Sequence, residues 1–270
     1  TVTGTNFGAA TSPLVVTFGT PSGSKVVPIV CSRGVNPHTQ LSCPTPPGIG
    51  TLYALQVSLA GQTLVAPYGG SAALGFSYGP PVITSVAGSG QKNGPTSGNA
   101  LLQITGTNFG PVSGILGMTA SDSVTYGKAG LTSTFVASGC MVVSSPDQGL
   151  GAITWTMNCV TAPGIGGGHF MSMTLGGQAA PTFAANISYG APQINSYAGV
   201  GAANSDSLST LGGSSVYVNG LNFGPGPSNP NYASYFAPKM SVRYGVALMD
   251  GPFSNLSFTN VACSVSVPDV

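Results

Sequence analysis

The side chains able to do chemistry are few and lie far apart. All five acids are aspartates, Asp122, Asp147, Asp206, Asp250 and Asp269, and there is no glutamate. General acid–base catalysis needs paired carboxylates or a histidine beside its partner, and these acids are widely spaced in turn-like contexts. His38 follows Asn36-Pro37 in a loop and His169 opens a strand; both read as surface polar residues. No G-x-S-x-G elbow, phosphate loop, H-E-x-x-H or calcium loop occurs. Gly164-Ile165-Gly166-Gly167-Gly168 has the glycine density of a nucleotide loop, but no helix follows it. No catalytic, cofactor-binding or metal-ligating set emerges, and an enzyme reading has nothing positive to rest on.

Composition narrows the partners. Charged residues make up 4% of the 270 positions, against about 25% in a typical soluble domain. The six basic residues are scattered between Lys25 and Arg243, so no dense basic stripe can neutralise phosphates and nucleic acid is excluded as a partner. No apolar run approaches the ~20 residues of a membrane span. Hydrophobic residues at 42% suffice for ordinary cores, while 41 Gly and 22 Pro punctuate the chain into many short strands. A surface this poor in charge resists self-association weakly. Either hydroxyls and glycans solvate it, or neighbouring subunits cover it.

The chain repeats itself, and the repeats position everything else. Thr3-Gly4-Thr5-Asn6-Phe7-Gly8 recurs as Thr105-Gly106-Thr107-Asn108-Phe109-Gly110 and returns as Asn219-Gly220-Leu221-Asn222-Phe223-Gly224. Each copy reads as a half-buried strand entering a tight turn. Val16-Thr17-Phe18-Gly19 matches Val124-Thr125-Tyr126-Gly127 and Val242-Arg243-Tyr244-Gly245. Cys43, Thr45, Pro47, Gly48, Ile49 and Gly50 reappear at one constant offset as Cys159, Thr161, Pro163, Gly164, Ile165 and Gly166, and Leu59, Gly61 and Gln62 as Leu175, Gly177 and Gln178. Tyr53, Leu55, Val57 and Leu59 alternate with small or polar residues, the pattern of a strand with one buried face. Met171, Met173 and Leu175 repeat it. Ser77-Tyr78-Gly79-Pro80-Pro81 and Ser188-Tyr189-Gly190-Ala191-Pro192 close each copy with a short, proline-stiffened joint. Three units follow: 1–79, 80–190 and 191–270.

The order of strand, G-x-N-F-G turn, cysteine pair, T-x-P-G-x-G turn and alternating strand up to Gly-Gln resembles the IPT/TIG family over nearly the whole chain. That resemblance implies an all-β fold of tandem immunoglobulin-like β-sandwiches. It implies no particular activity, because one fold hosts many. The basic DNA-gripping domain of the family's Rel-type members has no counterpart here.

The repeat also sorts the cysteines. Cys31 pairs with Cys43 and Cys140 with Cys159, since each pair precedes the Pro-Gly turn of its own unit; disulfides place the chain in an oxidising compartment. Zinc is the rival, disfavoured by irregular spacing. Cys263-Ser264-Val265 resembles Cys140-Met141-Val142, so Cys263 matches a first cysteine and is unpaired in this window. Residue 1 falls where an opening strand is already due. Both ends are therefore expected to cut through a domain. Trp155, in an alternating strand beside Cys159, is expected to pack on the disulfide in the core; an exposed sugar-stacking platform is the other reading. Asn186-Ile187-Ser188 and Asn255-Leu256-Ser257 are N-glycosylation sequons.

The leading expectation is a structural subunit of an extracellular filament or cell-surface appendage, with copies of itself as partners and no cofactor beyond glycans. The alternative is the ectodomain segment of a receptor or adhesin, or a carbohydrate-binding module.

Overall fold

The computed structural model describes residues 1–20, 26–65, 75–112, 118–119, 121–145, 154–199, 210–211, 213–229, 242–244 and 259–261. The described residues form twenty strands and no helix. In the first stretch these are β1 (Val2–Thr3), β2 (Leu14–Gly19), β3 (Val26–Ile29), β4 (Ser32–Arg33), β5 (Gln40–Ser42), β6 (Ala54–Leu59) and β7 (Gln62–Val65). The middle stretch holds β8 (Val82–Ala87), β9 (Leu101–Thr107), β10 (Ser123–Gly127), β11 (Phe135–Val136), β12 (Ser138–Ser144), β13 (Trp155–Val160), β14 (His169–Leu175), β15 (Gln178–Ala179) and β16 (Phe183–Ile187). Last come β17 (Gln193–Gly199), β18 (Val216–Leu221), β19 (Val242–Tyr244) and β20 (Thr259–Val261).

Each of the first two units is a pair of antiparallel sheets. Order β1-β5-β4 faces β3-β2-β6-β7 in the first; order β12-β13-β9-β8 faces β11-β10-β14-β15, with β16 also on β14, in the second. The third contributes the antiparallel pairs β17–β18 and β19–β20. Tandem β-sandwiches follow, all of them β.

Period-two patterning builds both cores. Along β14, His169, Met171, Met173 and Leu175 are buried while Phe170, Ser172 and Thr174 are only half-buried. They meet Leu102 and Ile104 of β9 and Met157 and Cys159 of β13 across the sandwich. In the first unit Val16, Phe18, Leu41, Tyr53, Leu55 and Val57 form the equivalent cluster. Phe18 and Tyr53 stack there with ring centroids 5.1 Å apart. Burying one such side chain contributes about 1.5–3 kcal/mol.

The bonded cysteines are Cys31–Cys43 and Cys140–Cys159. The second bridge joins neighbouring strands of one sheet rather than tying the two sheets together, as antibody domains do. Register slips where it sits: Ser138 faces Val160 and Met141 faces Asn158, so Gly139 and Cys140 together oppose Cys159. Gly139, at φ 59°, permits that bulge. The bridge thus ties β12, an edge strand with two register shifts, to β13.

The cysteines of the second bridge are 19 residues apart in sequence, a separation at which cross-linking stabilises by about 3 kcal/mol. Cys140→Ala/Cys159→Ser should therefore lower the denaturant midpoint of the second unit by an amount worth about 3 kcal/mol. Equilibrium unfolding with and without reductant checks this; an unchanged midpoint would mean β12 is held by pairing alone.

Candidate functional site: the joint between units

The G-x-N-F-G turn has a physical reason at every position. Its first glycine leaves room for the aromatic ring: a Cβ on Gly4, Gly106 or Gly220 would lie 2.6, 2.5 or 2.6 Å from the ring tip of Phe7, Phe109 or Phe223. The asparagine takes the left-handed backbone, φ 64° at Asn6, 62° at Asn108 and 61° at Asn222. Glycine would suit that conformation better, so the side chain must matter. Asn108 Nδ2 donates to the Pro80 carbonyl at 2.9 Å, and Asn222 Nδ2 to the Ala191 carbonyl at 3.0 Å. These are the residues just after Gly79 and Gly190, where the chain passes between units. Both glycines are required, because a Cβ there would lie 2.8 and 2.6 Å from the asparagine amide nitrogens.

The T-x-P-G-I-G turn is built as rigidly. Tyr78 N–H donates to the Gly50 carbonyl and Tyr189 N–H to the Gly166 carbonyl. Tyr78 Oη donates to the Pro46 carbonyl at 2.5 Å, and Tyr189 Oη to the Ala162 carbonyl at 2.7 Å. Burial and the neighbouring Tyr53 push the Tyr78 hydroxyl up to about 12, so it stays a neutral donor. In the second unit Tyr126 adds a further bond, its hydroxyl donating to Tyr189 Oη at 2.6 Å and accepting from Ala162 N–H.

These two turns meet. Ile49, from the turn of the first unit, is 2% exposed and belongs to the core of the second. Its γ-methyl occupies the space beside Gly110, where an added Cβ would lie 2.5 Å away. Ile165 stands in the same relation to Gly224 at 2.7 Å. Gly50 backbone lies against Gly176 backbone, and Gln178 Nε2 donates to the Tyr78 carbonyl at 2.9 Å. Asp122 fixes the far wall: its Oδ1 accepts from Gly176 N–H at 2.6 Å and its Oδ2 from Thr119 N–H at 2.7 Å.

Trp155 belongs to this joint. It is half-buried, packed against the core, and its Nε1–H donates to the Gly110 carbonyl at 2.7 Å. It braces the glycine on which Ile49 sits.

His169 corrects the expectation of a surface residue: it is 1% exposed. Its ring sits among Tyr126, Phe135 and Tyr189. The repeat aligns it with Tyr53, and the two do the same work. Tyr53 Oη donates to the Ile49 carbonyl at 2.6 Å; His169 Nε2–H donates to the Ile165 carbonyl at 3.2 Å. Nδ1 is buried without a partner. Burial holds the imidazole below its usual 6.5, with Lys128 pushing the same way and the bonds to Ile165 and Gly166 opposing. His38 is exposed in its loop.

Of the remaining sequence candidates, Asn186 is exposed on β16, with φ 51°. Asn255, Cys263 and the aspartates 147, 206, 250 and 269 lie outside the described residues. No group of three or more His, Cys, Asp or Glu side chains gathers among the described residues. No protein-family model matches this chain, and no curated protein matches it.

Two outcomes test the joint. Trp155 is the sole tryptophan, so its fluorescence reports on the socket: Ile49→Ala should red-shift the emission and cost about 2 kcal/mol of second-unit stability. An unmoved spectrum would mean that Ile49 does not close the socket. For His169 the folded value is depressed, so the unfolded chain takes up its proton first as pH falls. Stability is full above about 6.5 and declines below it until the folded form protonates. His169→Tyr, copying Tyr53, should keep the fold and flatten thermal unfolding between pH 7 and 5; a slope equal to that of the parent would assign the dependence elsewhere.

Proposed function

We propose that this chain is a structural segment of an extracellular filament or cell-surface appendage, a stiff tandem of immunoglobulin-like sandwiches of the IPT/TIG type that associates with its own copies. The observation that carries this is the repetition of one joint: isoleucine against glycine and asparagine to a linker carbonyl, at both junctions. Flexible linkers between independent binding modules need no such contacts. Two disulfides suit an oxidising compartment, and among the described residues no helix is long and apolar enough to cross a membrane. Asn186, exposed at the head of an N-x-S sequon, is the best-placed glycan site among the described residues. The engagement of Trp155 in the joint speaks against a sugar-stacking platform at that position.

Electron microscopy of native source material is the test. Regular fibres whose axial period matches a whole number of sandwich lengths are expected. Isolated flexible rods, or rods tethered to membrane, would overturn this reading in favour of a receptor or adhesin.

A further inference from the structure

The two joints share an isoleucine seated on a glycine, but a different group holds that isoleucine in each. At the first joint Ile49 stands against Gly110, and its carbonyl accepts from Tyr53 Oη at 2.6 Å. At the second, Ile165 stands against Gly224, and its carbonyl accepts from His169 Nε2–H at 3.2 Å. One residue thus links each buried ring to the next unit: its carbonyl meets the ring and its γ-methyl meets the neighbour's glycine. Burial keeps Tyr53 a neutral phenol. An imidazole is the side chain whose charge changes near neutral pH.

His169 is poorly placed to take that charge. Donation to the Ile165 carbonyl puts the proton of the neutral ring on Nε2. A second proton must go to Nδ1, which is buried and has no hydrogen-bond partner among the described residues. Once protonated, Nδ1–H is a buried donor without an acceptor. Tyr126 of β10, Phe135 of β11 and Tyr189 surround the ring, with centroids 6.2, 5.3 and 6.0 Å away. The two tyrosine hydroxyls are engaged with each other and with Ala162. Lys128, just past β10, adds a positive charge nearby and donates to the Gly167 carbonyl of the same turn. β9, β13 and β16 bring no group that titrates, Cys159 being bonded to Cys140.

The turn carrying Ile165 is also the more pliable of the two. Gly167 and Gly168 stand where the first unit has Thr51 and Leu52. Gly168 takes its left-handed φ of 66° without strain, whereas Leu52 is held at 63°. A charged ring is relieved by moving toward water, and that movement releases the Ile165 carbonyl. The released ring binds its proton near the ordinary 6.5, and the seated ring, held down by burial, only at lower pH. Acid therefore favours release from about 6.5 downward, until the seated ring protonates as well.

We propose that the joint between the second and third units is a pH-sensitive hinge, loosened by mild acid through His169 and Ile165 while the joint between the first and second units stays closed. The bistable element is the turn from Pro163 to Gly168, and its two positions differ in whether Ile165 is seated on Gly224. The hinge belongs to a single chain and does not depend on association between copies.

The test is NMR of the full chain with labelled isoleucine methyls, between about pH 7.5 and 5. Tyr189 N–H and Tyr78 N–H, which donate to the Gly166 and Gly50 carbonyls, are equivalent amides at the two joints. With intrinsic exchange divided out, Tyr189 should lose about five-fold or more in protection over that range and Tyr78 none. The nuclear Overhauser contact between the Ile165 γ-methyl and Gly224 should weaken in step, while that between Ile49 and Gly110 persists. His169→Tyr and His169→Phe, neither able to take the proton, should level the Tyr189 profile. A flat Tyr189 profile in the parent, equal losses at both tyrosines, or a slope that survives in both variants overturns the hinge. So does an Ile165–Gly224 contact that stays intact while Tyr189 loses protection. Protection that rises in acid overturns it too, and would mean that the aromatic rings hold the imidazolium.

Discussion

The arrangement of successive units depends on side chains that are missing. An isoleucine can seat its γ-methyl beside Gly110 or Gly224 only because neither carries a Cβ, and the linker can pass the asparagine amide only because Gly79 and Gly190 are bare. Close approach of backbone to backbone, as between Gly50 and Gly176, follows from the same absence. Glycine is commonly associated with freedom, yet at these positions it brings surfaces near enough to exclude freedom. Asparagine occupies the left-handed position of the turn because there a side chain is needed, and Asn tolerates that backbone better than other residues.

The scarcity of charge has a related logic. The described charges with side-chain bonds act on backbone groups. Arg33 donates to four carbonyls, Lys128 Nζ donates to the Gly167 carbonyl, and Asp122 accepts from the N–H groups of Thr119 and Gly176. Charge-assisted bonds to peptide groups are stronger than neutral ones, and turns rich in Gly and Pro leave many peptide groups without a ladder partner. At these three described positions a charge stands where a turn would otherwise leave carbonyls or amides without partners. That leaves the outer faces to Ser, Thr, Gln and apolar side chains such as Val136 and Met141.

The strands and the all-β class were legible because period-two alternation and exact repetition are local signals. The joint was not, although its residues were in view. Ile49 and Ile165 read as part of a turn, but a turn does not need a β-branched apolar residue between two glycines; that surplus hydrophobicity was the available clue. Trp155 was expected beside the disulfide, and it does pack on the core, but its indole N–H binds a carbonyl that only the folded chain brings near. By residue type His169 reads as a surface residue. Its alignment with Tyr53, a residue of the buried alternation, argued for the interior, because a position inherits its burial from the strand and not from its chemistry. What a sequence pattern cannot carry is which carbonyl a buried ring will reach.

Two contacts of the joint recur at the second junction, isoleucine against glycine and asparagine on a linker carbonyl. The contacts involved have little slack: a methyl in a glycine-sized gap, a 2.9 Å amide bond, and a proline-bearing linker only a few residues long. At the first junction these contacts act side by side, so loosening any one leaves the others in place. When a head-to-tail contact repeats with a rotation that does not close on itself, it generates an open helical path rather than a ring. Stiffness then belongs to the junctions and not only to the sandwiches.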